Sequence, residues 1–284
     1  MAALTLLCAM VAFAAVPAPA AAASKSTKPL PVTSASRYLA LGDSVSFGYQ
    51  DGTNITPFQL NRIVGYPEVL AQQLHLNLAN ASCPGETSSS FINTSAPDLG
   101  CEPYRADYPL HVHYAGSQLS YALSYLKSHK NVRLVSLEMG LVDLSLCQQH
   151  SSDGCSSAAE LAPMDRTLGA NVKTILSALR NKAHYTGQLA VVNYYSTNYG
   201  SSLENGLTLN IDDVLDAASL GYHVKFVNAY TAFATASARD DEDPCSAGLI
   251  DPIGPGVCGY HPTPAGQTVI ADAIRHAITV GKPA

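Results

Sequence analysis

The chain has 284 residues, a formal charge of −6 and charged side chains at only 13% of positions, against about 25% in an ordinary soluble domain. No run of Lys or Arg offsets the acidity, which argues against nucleic acid or an anionic membrane surface as partner. Ser, Thr, Asn, Gln and Tyr must then supply much of the polar surface.

Residues 2–23 are almost wholly apolar and Ala-rich, and Ala20 to Ala23 offer a small-residue cleavage site before Ser24-Lys25. This is the anatomy of a secretory signal peptide over 1–23, with an uncleaved N-terminal anchor as the alternative. Cys8 lies inside the apolar run without a convincing lipobox. Residues 24–36 are rich in Ser, Thr, Pro and Lys and read as a linker. Residues 37–284 are long enough for one α/β domain with a large core.

Apolar runs of strand type recur at 37–41, 75–80, 133–139, 188–194 and 223–227. Stretches with helical spacing lie between and after them, at 67–73, 117–127, 163–181, 209–218 and 264–278. Pro163 or Asp165 would start the long middle helix, and Thr263-Pro264 caps the last. Strands alternating with helices in this way predict a parallel sheet covered on both faces. Five strands suit a three-layer α/β/α flavodoxin-like fold in the order 2-1-3-4-5, with the tip of the first strand at the switch point. The segments 82–113, 144–162 and 239–262 are expected to be long loops, and long loops at a sheet edge are usually functional.

With Cys8 set aside, six cysteines remain, an even number that suits disulfides in an exported chain. Their local grouping favours Cys83–Cys101, Cys147–Cys155 and Cys245–Cys258. The zinc-site alternative lacks any C-x-x-C or H-x-x-x-H spacing.

The first strand runs into Gly42-Asp43-Ser44, which places a serine hydroxyl at the sheet edge where open α/β folds bind ligands. Such a serine becomes a nucleophile only if a base can take its proton. Of nine histidines, His261 lies in the loop directly before the last helix, on the same edge, with His111 and His113 as runners-up. Donors for a developing oxyanion are usually backbone amides. Those of Ser44 and Gly85 are the candidates, although Pro84-Gly85 also reads as a plain turn.

Four ordered blocks carry a resemblance: Gly42-Asp43-Ser44, Cys83-Pro84-Gly85-Glu86-Thr87, Gly140-Leu141-Val142-Asp143 and His261-Pro262-Thr263. In order and spacing the chain resembles the SGNH (GDSL-type) hydrolases, in particular their secreted bacterial esterase and lipase branch. The resemblance implies ester hydrolysis through an acyl-serine, with Ser44 as nucleophile, His261 as base, and the Ser44 and Gly85 amides in the oxyanion hole. It implies no cofactor and no metal. The implied partner is a small-molecule, lipid or glycan ester, the expected state a secreted monomer without a stable membrane span.

Two departures stand out. The family's third block carries an Asn donor where this chain has Val142, and losing one oxyanion donor typically costs about 10²–10³ in rate. Asn193 is the nearest replacement by topology and equally an amide at the core edge; Asp143 keeps its place and reads as structural. The family also places an Asp three residues before the His, where this chain has Cys258. A main-chain carbonyl within 256–259 is the first expectation for the partner of the imidazole, Asp251 the second, and the acidic run 240–243 reads as a solvated cluster. These departures keep an alternative open: a weak or silent relative that binds an acylated or glycan ligand.

Overall fold

The computed structural model describes residues 28–51 and 63–282. The chain opens with β1 (Arg37–Leu41), the single turn α1 (Ser44–Phe47), α2 (Tyr66–Leu74) and β2 (Asn77–Asn80). Next come α3 (Ser88–Ile92), α4 (Cys101–Ala106), α5 (Gln118–Ser128) and β3 (Val132–Glu138). They are followed by α6 (Leu141–His150), α7 (Ala158–Ser177) and β4 (Gln188–Val192), with a π-helical turn over Ala178–Lys182 before β4. The final third holds α8 (Ser202–Ser219), β5 (Val224–Val227), α9 (Ala229–Ala236), β6 (Ile250–Gly254), β7 (Val257–Pro262) and α10 (Pro264–Ala277).

The five long-range strands pair in parallel in the order β2-β1-β3-β4-β5, the expected flavodoxin-like arrangement. The central strands β1, β3 and β4 are buried almost end to end, as strands covered on both faces must be. Helices pack on both sides, with α10 against α2 and α9, and α7 against α8, α6 and α3.

Where the elements differ from the sequence reading, local backbone chemistry explains it. His75 adopts φ 54° as the C-cap of α2, so β2 begins only at Asn77. His223 lies at φ 51° and likewise delays β5. Pro163 is inside α7 rather than at its start. The helix-favouring Ala158-Ala159-Glu160-Leu161-Ala162 precedes it, and a proline this near the N-terminus removes a single hydrogen bond. Two of the expected loops contain structure: α3 and α4 within 82–113, and most of α6 within 144–162. The third, 239–262, holds the antiparallel β6–β7 hairpin. The expected signal segment lies outside the described residues. Part of the stretch read as linker is tied down: Val32 is buried, bridges Val280, and its amide donates to Thr279 O at 2.9 Å.

The pairs Cys83–Cys101, Cys147–Cys155 and Cys245–Cys258 are disulfides. The sulfurs of the buried Cys83, Glu86 and Cys101 cluster are therefore not free thiolates for a metal. No helix among the described residues is long and apolar enough to cross a membrane.

Candidate active site

Ser44 is the first residue of the turn that follows β1, so its amide belongs to the helix-start donors that lack an intrahelical acceptor. Asp43 caps that turn by accepting from Val45 N–H at 3.0 Å. Its second oxygen accepts from the Tyr194 hydroxyl at 2.5 Å, which ties the turn to the end of β4. Burial pushes the Asp43 carboxyl up to about 6 despite these bonds. On the far side, Gly42 is locked to Gln118: its amide donates to Oε1 at 2.7 Å and its carbonyl accepts from Nε2 at 3.0 Å. Gly42 has φ 150°, and a Cβ there would lie 2.6 Å from the Glu138 carbonyl oxygen. The backbone in front of the serine thus requires glycine.

His261 reaches Ser44 from β7. Its Nε2 is 2.9 Å from Ser44 Oγ, and its Nδ1 is 2.9 Å from Asp51 Oδ1. An ionised carboxylate only accepts, so Nδ1 carries the proton and Nε2 is left to accept from the serine hydroxyl. The hydrogen bond from His261 holds the Asp51 carboxyl below its usual range, although partial burial opposes it. The Tyr49 ring packs against the imidazole with centroids 4.7 Å apart.

The group that holds the imidazole therefore differs from both sequence candidates. Neither a carbonyl within 256–259 nor Asp251 is at Nδ1; Asp51 is. Asp251 stands one step behind, accepting from the Asp51 amide at 3.1 Å. Asp51 follows Ser44 by only seven positions and carries no motif of its own. The one signal for it was topological, since the segment leaving β1 starts at the same sheet edge as the loop before α10.

The other candidates separate cleanly. His111 packs on Phe47 and points Nε2 at the Phe47 carbonyl, 2.9 Å away, and His113 is exposed. Asn193 donates to Asp212 at 2.7 Å and accepts from the Ala229 amide at 2.6 Å, so both ends of its amide are engaged in tying β4 to α8 and α9. Asp143 accepts from Ser88 N–H at 2.9 Å and Ser88 O–H at 2.5 Å, joining α6 to α3. In the acidic run, Asp240, Asp241 and Glu242 are exposed.

Gly85 sits at φ 77° in the loop closed by Cys83–Cys101. Its carbonyl accepts from Leu99 N–H at 2.8 Å, and a Cβ would lie 2.4 Å from the Leu99 carbonyl. Below it, buried Glu86 accepts from Ser90 and Gln118 and pairs with Arg105 at 3.2 Å. That network fixes the loop against the same Gln118 that grips Gly42. Ser44, Gly85 and His261 line one cavity of about 650 Å³ with Val142, Leu141 and Leu207. Among the described residues, no Lys or Arg lines it.

A flavodoxin-like α/β/α domain with a serine, a histidine and a carboxylate linked at its switch-point edge defines a class of fold and site. The sequence profile of the GDSL-like lipase/acylhydrolase family matches residues 40–269, and the chain belongs to that family. Solved structures share the fold at low identity. A putative GDSL-like lipase from Parabacteroides merdae aligns over 88% of this chain and 98% of its own, with TM-score 0.56 and 15% identity. An extracellular lipase from Streptomyces rimosus aligns over 86% and 100%, with TM-score 0.56 and 19% identity. An acetylxylan esterase from Geobacillus stearothermophilus aligns over 87% and 96%, with TM-score 0.53 and 13% identity. No curated protein matches the chain.

Proposed function

We propose that the chain is a secreted serine esterase that cleaves carboxylic esters through an acyl-serine. The observation that carries this reading is the continuous hydrogen-bonded line from Ser44 Oγ through His261 to Asp51. Ser44 Oγ attacks the ester carbonyl while His261 Nε2 takes its proton, and Asp51 holds the imidazolium that results. The Ser44 and Gly85 amides are the donors assigned to the oxyanion in this reading. Nε2 then protonates the departing alcohol, and a water deprotonated by the same nitrogen releases the acid.

Several features support export. Three disulfides suit an oxidising compartment, one structural neighbour is an extracellular lipase, and residues 2–23 are read as a removable signal peptide. The cavity is walled partly by leucine and valine, which suits a neutral acyl group.

A fluorophosphonate probe tests the reading. Wild type should be labelled and Ser44→Ala should not; equal labelling of both, or of neither, overturns it. One observation favours a second reading, a ligand-binding protein with little turnover. Val142 lines the cavity where the family's donor would stand and offers the oxyanion nothing. Labelling by the probe with no turnover of any acyl ester would select that reading.

A further inference from the structure

We infer that the β6–β7 hairpin clamps the acid of the site, with Asp251 a positioning residue that acts through Asp51. The inference deepens the esterase reading and rests on it for its kinetic part. The Asp51 side chain is 24% exposed, and the residue lies in the segment leaving α1. A carboxylate so placed has rotamer freedom that its hydrogen bond to His261 must overcome. Three features of the hairpin remove that freedom. Asp251 Oδ2, on β6, accepts from the Asp51 amide at 3.1 Å and fixes the backbone. The Tyr260 amide, on β7, donates to Asp51 Oδ2 at 3.3 Å and fixes the side chain. Gly259 makes the room: a Cβ there would lie 1.9 Å from Asp51 Oδ2. Because His261 is on β7 as well, acid and base are referred to one small rigid element. That element is closed by Cys245–Cys258 and held from the sheet side by the Tyr195 hydroxyl, which donates to Tyr260 O at 2.6 Å.

Asp251 is 7% exposed and faces the like charge of Asp51, and its carboxyl is pushed up to about 6 mainly by burial. Retaining an acid there works against stability. Its use is the acceptor it presents to the Asp51 amide, and an amide carbonyl could present the same one. The hairpin thus takes over a task that a carboxylate just before the histidine would perform from the histidine's own loop.

The test compares Asp251→Ala, which removes the acceptor, with Asp251→Asn, which keeps it, and checks folding of each by thermal unfolding. Asp251→Ala should lower kcat on a soluble aryl ester by roughly ten- to a hundredfold at unchanged KM, the scale of a small misplacement. Asp251→Asn should recover most of that loss. A readout independent of turnover is the downfield proton resonance of His261 Nδ1–H. It should persist in Asp251→Asn and fade in Asp251→Ala and in Gly259→Ala, which attacks the clamp from the other strand. Wild-type kcat with a persistent resonance in Asp251→Ala overturns the inference, and so does equal damage in the Ala and Asn variants. If wild type resists the fluorophosphonate yet the resonance follows this pattern, the clamp stands and the esterase reading falls.

Discussion

Asp51 Oδ1 lies 2.9 Å from His261 Nδ1 across 210 positions of sequence, whereas only seven positions separate Asp51 from Ser44. Ser44 and Asp51 thus share one short segment, and His261 comes to them from the other end of the chain. Replacing Asp51 by Asn should leave the fold intact and favour the wrong imidazole tautomer. For a buried triad acid that change costs about 10⁴ in kcat, and the partial exposure of Asp51 should bring the loss to roughly 10²–10⁴. Steady-state kinetics on an aryl acetate, with circular dichroism as the folding control, measures it. Wild-type kcat in Asp51→Asn would mean that the carboxylate is not part of the machinery.

Gly259→Ala should mimic that loss from the opposite side. The added methyl must displace the Asp51 carboxylate, a side chain rather than backbone, so the change should fall on kcat more than on melting temperature. A large drop in melting temperature with normal kcat per folded molecule would contradict this.

Val142→Asn should restore a side-chain donor at the cavity wall. If the missing hydrogen bond limits the rate, kcat on an aryl ester rises, by up to about 10². The change also buries a polar group in place of a valine that is 7% exposed, so a loss of about 1 kcal/mol or more in stability should accompany it. An unchanged kcat would indicate that two backbone amides already suffice.

Stability should fall as pH rises from about 4 to about 7. Burial raises the carboxyls of Asp43, Asp143 and Asp251 to about 6 and that of Asp212 to about 7. Each binds its proton more tightly in the folded chain than in the unfolded one. Between the unfolded and folded values the native state therefore holds the extra protons, and raising the pH removes them at its expense. Asp51 is shifted downwards, so its contribution is lost only as pH falls below its ordinary value near 3.8. Calorimetry should accordingly give a higher melting temperature at pH 5 than at pH 8, with about 2–4 °C for each kcal/mol in a chain of this size. A flat or rising profile over that interval would show that these carboxyls are better compensated than their burial implies.

The sheet was legible in the sequence because buried parallel strands are short continuous apolar runs, and 37–41 or 188–192 can be little else. That Ser44, Gly85 and His261 would meet at one cavity was legible because each was placed at the sheet's C-terminal edge beside a turn that only certain residues form. Gly85 at φ 77° leaves such a trace. The partner of His261 left none. An aspartate is unremarkable in any loop, and the contact that makes it matter comes from a hairpin whose strands, with Pro252, Gly254 and Gly259, lack an apolar alternation. Pairing of Ile250 with Pro262 and of Pro252 with Cys258 is a property of the folded chain, set by the Cys245–Cys258 closure as much as by strand propensity. The helices α4 and α6 were missed for a related reason. Their burial is shared with the neighbouring disulfides, so neither needs a clean amphipathic stripe.

All three disulfides lie beyond the C-terminal ends of strands: after β2, after β3, and in the segment between β5 and α10. Among the described residues, covalent reinforcement is therefore confined to one rim of the molecule, and the opposite rim carries no disulfide. Mechanically the domain is lopsided, with a stitched face above an unstitched base. Warming should loosen the base first, around the turns that precede β3 and β4, while the stitched face keeps its shape until the sheet itself gives way. Amide exchange should run in that order, and a reductant should even it out.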